Sequence, residues 1–184
     1  MADPVIQAIQ GLFFFIPAFA ANSAAVLTGG RWKMDFGKNF FDGRRILGDG
    51  KTWSGYLGGS LLASALGMLL YGLIFLLPVF VNYPDAYFAL FGVLLLSFGS
   101  LTGDTLGSFI KRRIGIDRGG KGYLLDQIPF VLMALLFAAL FYFQFFRYVL
   151  FNIPALIVIV VITPPLHKAV NVLGYKLNRK DVPW

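Results

Sequence analysis

Cysteine and glutamate are both absent from the 184 residues, and histidine occurs once. The first absence excludes disulfides and thiolate metal sites. The lone histidine excludes a histidine cluster, and with it a zinc or haem centre built from such ligands. Charge is scarce too: 14% of residues are charged and 58% are hydrophobic, against about a quarter charged and about 45–50% apolar in an ordinary soluble domain. The net charge of +7 raises the question of nucleic acid. The basic residues, however, are confined to segments between long apolar runs, so no nucleic-acid partner is expected.

What the chain does have is apolar blocks. A membrane-spanning helix needs roughly 20 mostly apolar residues, and five runs qualify, at about 5–27, 55–81, 87–103, 122–146 and 148–162. The expected fold is therefore an all-α, multi-pass membrane protein of one domain, residues 1–184. It has five transmembrane helices, polar loops at about 28–54 and 104–121, and a tail from 163. The first run has no Lys or Arg before Arg31 and so reads as a retained helix rather than a signal peptide. Pro17 and Pro78 fall within runs and can kink them. Asn82 to Asp85 and Gln144 to Asn152 read as short hairpin connections.

Orientation follows from the basic residues. Arg31, Lys33, Lys38, Arg44, Arg45 and Lys51 occupy the first polar loop. Lys111, Arg112, Arg113, Arg118 and Lys121 occupy the second, and Lys168, Lys176, Arg179 and Lys180 the tail. With five alternating helices, all 16 except Arg147 lie on one side. The positive-inside rule makes that side cytoplasmic and the N-terminus external. Arg147 then reads as an anchor on the outer side, and Trp32 and Trp53 as interfacial anchors.

Function is expected on the inner face, since the outer connections are too short to build a site. The first loop mixes glycines with Lys38, Lys51 and Thr52, which supply donors for phosphate oxygens. It lacks the P-loop spacing. Asp35, Asp42 and Asp49 argue against a simple anchor for anionic lipid heads. In the second segment, a third helix continuing past Gly103 would put Asp104, Ser108, Lys111 and Arg112 at i, i+4, i+7 and i+8, on one face. A carboxylate, a hydroxyl and two cations together suit a metal–polyphosphate. Asp126 stands at the head of the fourth apolar run, where a carboxylate is costly unless paired or bound to metal. Asp104 and Asp126 together could give oxygen ligands to Mg²⁺, and an ion pair of Asp126 with Lys111 or Arg112 is the alternative. His167, after Pro164-Pro165, reads as an interfacial residue.

Gly103-Asp104, Ser108, Lys111-Arg112, Gly115, Gly119-Gly120 and Leu125-Asp126 resemble the C-terminal signature of the CDP-diacylglycerol synthases. The first loop, with Asp35-Phe36-Gly37-Lys38, Asp42-Gly43-Arg44 and Lys51-Thr52-Trp53-Ser54-Gly55, resembles the archaeal branch, the CDP-archaeol synthases. Two departures from the bacterial pattern are visible. Its His-Gly-Gly is here Gly120-Lys121-Gly122-Tyr123, and its second Asp is here Pro129, so no metal role transfers to that position. The resemblance implies transfer of CMP from CTP to an isoprenoid glycerol phosphate lipid, with pyrophosphate released, in a cell membrane. Asp104, Asp126, Lys111 and Arg112 would be catalytic, with Mg²⁺ on the two Asp. Lys38, Asp42, Asp49, Lys51, Thr52, Ser108 and Arg113 would contact CTP. Two rival readings are a small transporter for an anionic solute and a CDP-alcohol phosphotransferase. Asp42-Gly43-Arg44-Arg45 matches only the first two positions of the latter's signature.

Overall fold

A computed structural model describes residues 4–76, 85–141 and 153–176. Among the described residues five helices follow one another: α1 (Pro4–Thr28), α2 (Trp53–Phe75), α3 (Ala86–Arg113), α4 (Ile128–Phe141) and α5 (Ile153–Lys176). A 3₁₀ turn, Tyr123–Asp126, precedes α4. Four of the five, α1, α2, α3 and α5, are long and apolar enough to cross a membrane. Among the described residues there is no strand, only two isolated bridges, Lys33 with Thr52 and Asn39 with Arg45.

Several boundaries differ from those expected. α3 runs ten residues beyond Gly103, because the segment to Arg113 has no helix breaker apart from glycines that pack, and Lys111, Arg112 and Arg113 suit a helix C-terminus. α4 starts only at Ile128, after the Gly119-Gly120 and Gly122 stretch, with Pro129 in its first turn where a missing N–H costs nothing. α5 does not stop before the expected tail: it passes through Pro164 and Pro165 to Lys176. Membrane helices tolerate such prolines, and the Thr163 hydroxyl donates to the Ile159 carbonyl at 2.6 Å beside them. Both expected hairpins, Pro78 and Arg147 fall wholly or partly outside the described residues.

α3 is the most buried of the long helices and α5 the least. Phe14, Phe15 and Ala18 of α1 pack with Leu96 of α3, with Phe130, Val131 and Ala134 of α4, and with Ile159 of α5. Close approach relies on small residues, since lipid offers no hydrophobic drive between helices and backbone contact must supply the attraction. Gly99, Gly103 and Gly107 form a seam, one turn apart, along the face of α3 that meets α4. A Cβ at Gly99 would lie 2.7 Å from the Met133 carbonyl oxygen, and one at Gly107 2.6 Å from that of Leu125. Hydroxyls add cross-links: Tyr56 with Thr102 at 2.8 Å, and Ser100 donating to the Ala18 carbonyl at 2.7 Å.

Candidate active site

The first polar loop is organised around Asp35, whose hydrogen-bond partners lie up to thirteen residues away in the sequence. Its side chain is fully buried. It accepts the backbone N–H groups of Gly37, Leu47 and Gly48 at 3.0–3.1 Å and the Arg45 guanidinium at 2.9 Å. Burial pushes the Asp35 carboxyl up. The Arg45 guanidinium and the Gly48, Gly37 and Leu47 amides outweigh it and hold the group well below the usual carboxylate range. The Asp-x-Gly spacing, an Asx-turn pattern, is the local signal for this role.

A second set of contacts fastens the loop to the end of α3. Arg44 donates to the Arg113 carbonyl at 2.7 Å, which satisfies the C-terminal carbonyls and the negative end of the helix dipole. Arg113 pairs with Asp42 at 3.1 Å and donates to the Arg45 carbonyl at 2.5 Å. Its guanidinium lies over the rings of Phe40 and Phe109, 4.7 and 5.0 Å from their centroids. Asp42 and Arg113, expected as CTP contacts, therefore form the clamp that holds the loop in place.

With the loop clamped, one cavity of about 690 Å³ opens at this end of the bundle. Asp49, Lys51 and Thr52 line it from the first loop, and Asp104, Ser108, Lys111 and Arg112 from α3. Asp126 lines it from the 3₁₀ turn. The i, i+4, i+7, i+8 face of α3 thus looks into one space, while Lys38, Asp42 and Arg113 do not line it. Arg118, His167 and Asn171 line it without having been expected to. A smaller hollow of about 210 Å³ adjoins it and shares Lys51, Thr52, Asp104 and His167.

The charges are tightly arranged. Lys51 pairs with Asp104, across two segments. Lys111 pairs with Asp126 at 2.5 Å, and the Gly122 N–H donates to the other Asp126 oxygen at 2.8 Å. A Cβ at position 122 would come within 2.6 Å of both the Asp126 carboxylate and the Lys111 chain, so any larger residue would displace this pair. Tyr123 holds a left-handed backbone (φ 47°), an uncommon conformation for an aromatic residue, at the sharp turn that carries Asp126. Arg112 is buried and its Nε has no hydrogen-bond partner among the described residues. Arg112 also lines the cavity, where a guanidinium can meet an anion. Asp49 is paired with Lys33 at 2.7 Å and Arg45 at 2.9 Å, and these two cations, Lys33 first, lower its pKa. Thr52 precedes α2 and its Oγ accepts the Gly55 N–H at 3.2 Å, an N-cap, while also facing the cavity.

Among the described residues no group of three or more His, Cys, Asp or Glu gathers to hold a metal by itself. Two carboxylates on one polar cavity do suit a hard divalent cation that completes its shell with phosphate oxygens and water.

Helices that span a bilayer around one charged end-cavity define a multi-pass α-helical protein of the intramembrane-enzyme kind. The comparisons agree: a solved structure described as an intramembrane enzyme for archaeal membrane lipid biosynthesis matches with a TM-score of 0.68 and 32% identity, over 94% of this chain and 95% of that one. The CarS-like CDP-archaeol synthase family model matches residues 4–184, and the chain belongs to that family. Relatives named CDP-archaeol synthase include that of Picrophilus torridus, 51% identical over 98% of each chain, and that of Archaeoglobus fulgidus, 42% identical over 100% of each.

Proposed function

We propose that the protein is a cytidylyltransferase that moves CMP from CTP to 2,3-bis-O-(geranylgeranyl)-sn-glycerol 1-phosphate, giving CDP-archaeol and pyrophosphate at the cytoplasmic face of the membrane. One observation carries the reading: Asp104 and Asp126 open on one cavity, each held by a lysine from another segment, beside the orphaned Arg112 Nε. That wall suits a triphosphate. The names of the relatives supply the substrates. Placing Asp42 in a structural clamp leaves the CDP-alcohol phosphotransferase signature without its first carboxylate at the cavity.

The chemistry asked of these residues is mostly electrostatic. A phosphomonoester has a second pKa of about 6 and is largely dianionic at neutral pH. It needs no strong base, in keeping with a cavity whose only carboxylates are aspartates held by cations. One oxygen of the lipid phosphate bonds to the α-phosphorus of CTP, the bond to the β-phosphate oxygen breaks, and its electron pair leaves with pyrophosphate. Lys51, Lys111 and Arg112 lower the repulsion between the two anions and stabilise charge on the leaving group. Ser108 and Thr52 can hydrogen-bond phosphate oxygens at the same wall. Asp104 and Asp126 would hold Mg²⁺. When bound, the ion neutralises and orients the phosphates.

Purified protein given the lipid monoester and each nucleoside triphosphate in turn should release pyrophosphate with CTP, and chelation of divalent cations should abolish release. Asp104→Asn and Asp126→Asn should each lower the rate by about 100-fold or more in folded protein. Full turnover by either variant would remove that residue from the proposed metal pair. No pyrophosphate with any nucleotide would overturn the function.

A further inference from the structure

We propose that the tip of the first polar loop, Phe40 and Phe41 with Lys38 beside them, docks on the anionic headgroup surface of the bilayer that the helices span. The proposal goes beyond the cytidyl-transfer reading and stands whether or not that reading holds. Phe41 is 99% exposed. Its ring meets Phe40 at 5.0 Å, and Phe40 meets Phe109 of α3 edge-on at 5.4 Å. Thr102, Leu106, Phe109 and Arg113 stand at i, i+4, i+7 and i+11 and so share one face of α3. Leu106 is 42% exposed on that face. An apolar strip therefore runs along the outer surface of α3 and onto the loop tip.

The depth of the tip follows from its neighbours. Trp32 and Trp53 mark the two roots of the loop, joined by the Trp53 N–H donating to the Trp32 carbonyl at 2.8 Å. Such rings favour the membrane–water boundary. Trp53 begins α2, three residues before Tyr56, whose hydroxyl meets that of Thr102 at 2.8 Å. Since α3 runs the opposite way, the level of Trp53 on α3 is near Thr105. Phe109 is four residues further out, about 6 Å along the helix. The headgroup layer is about 5–8 Å deep on each face of a bilayer, which puts the Phe40–Phe41 tip among the headgroups.

Charge points to the same surface. Asp35, Asp42 and Asp49, which in the sequence argue against a headgroup anchor, are engaged by the chain's own cations: Asp35 by Arg45, Asp42 by Arg113, and Asp49 by Lys33 and Arg45. No carboxylate of the loop is left to repel lipid phosphates. Lys38, by contrast, is exposed and makes no ion pair among the described residues. It enters the Asn39–Arg45 bridge two residues before Phe40, and side chains two apart in an extended stretch share a side. Its ammonium thus lies on the side of the rings. Lys38 does not line the cavity, and this surface gives it a role. A cation beside aromatic rings at headgroup depth matches lipid phosphate and the apolar layer below it. Arg44 and Arg113 fasten the loop to α3, and the lipid contact would steady the same loop, which carries Asp49, Lys51 and Thr52 to the cavity.

The chain has no cysteine, so a Phe41→Cys protein takes one nitrobenzoxadiazole label at the tip, an aromatic group in place of the lost ring. The full chain is reconstituted in phosphatidylcholine vesicles with or without phosphatidylglycerol. With phosphatidylglycerol present, a spin label on the lipid headgroup should quench the tip more than one near the end of an acyl chain. Lys38→Ala should lower the docked-to-free ratio about fivefold, the worth of one basic residue near an anionic surface, and Lys38→Arg should retain it. Equal quenching with and without phosphatidylglycerol, or in Lys38→Ala and its parent, would overturn the lipid contact. Self-quenching between labelled copies would give the tip to a second copy of the chain and overturn it too. A rise in KM for CTP in detergent, where no bilayer exists, would return Lys38 to the nucleotide and remove it from this surface.

Discussion

Asp35 shows how much one side chain can hold. The first polar loop ties its backbone together through turns and two isolated bridges, and at its centre a single buried carboxylate satisfies three further amides and a guanidinium. Its folded pKa is depressed, so between that value and the unfolded carboxylate's pKa of about 3.9 the unfolded loop binds the extra proton. The stabilisation is present above about pH 4 and is lost as pH falls through the folded value. Hydrogen–deuterium exchange across residues 30–52, corrected for intrinsic rates, should therefore show protection falling on acidification. Asp35→Asn should lose about 1.5–3 kcal/mol of that protection at neutral pH and flatten its acid dependence. An acid profile unchanged by the substitution would deny Asp35 this role. Its neighbour Asp42 likewise accepts the amide two residues on, that of Arg44 at 3.1 Å, yet serves the clamp on Arg113. Residue type and spacing mark a carboxylate as purposeful without revealing which partner it meets.

At the scale of elements, the charged cavity depends on how closely α4 approaches α3. Gly99, Gly103 and Gly107 let the backbone of the 3₁₀ turn and of α4 lie against α3, and this proximity puts Asp126 within reach of Lys111. Gly103→Leu would drive its side chain into the Pro129 carbonyl and should cost about 1–3 kcal/mol by overpacking. A lower melting temperature in detergent should come with a larger loss of cytidyl transfer than Gly103→Ala produces. If Gly103→Leu melted and worked like the parent, the seam would not be what sets the site. The i, i+4, i+8 spacing of these glycines is plain in the sequence, as is the polar face of α3, because both are periodic within one helix. That the glycine face meets α4, and not lipid, is a matter of packing between elements.

For the molecule as a whole, the ends of α1, α3 and α5 and the starts of α2 and α4 converge on one charged region. The basic residues of the described segments cluster there too, which supports a cytoplasmic site by the positive-inside rule. The absence of cysteine makes the test clean. Phe41 is 99% exposed on the first loop. A Phe41→Cys protein should react with a membrane-impermeant maleimide in inverted vesicles and stay unlabelled in right-side-out ones. Labelling only from outside would invert the topology and leave CTP on the wrong side.

The sequence by itself determined the solvent, the all-helical class and one polar face of α3. Long apolar runs have to lie in lipid, and periodicity along α3 places Asp104, Ser108, Lys111 and Arg112 together whatever the rest of the chain does. Only the tertiary structure decided that Asp104 meets Lys51, that Arg113 and Asp42 are a clamp, and that His167 and Asn171, beyond two prolines, return to the cavity. The reason is range. Local pattern fixes which side chains share an element's face, but the partners of that face lie tens of residues away, and close packing of glycines and loops selects them.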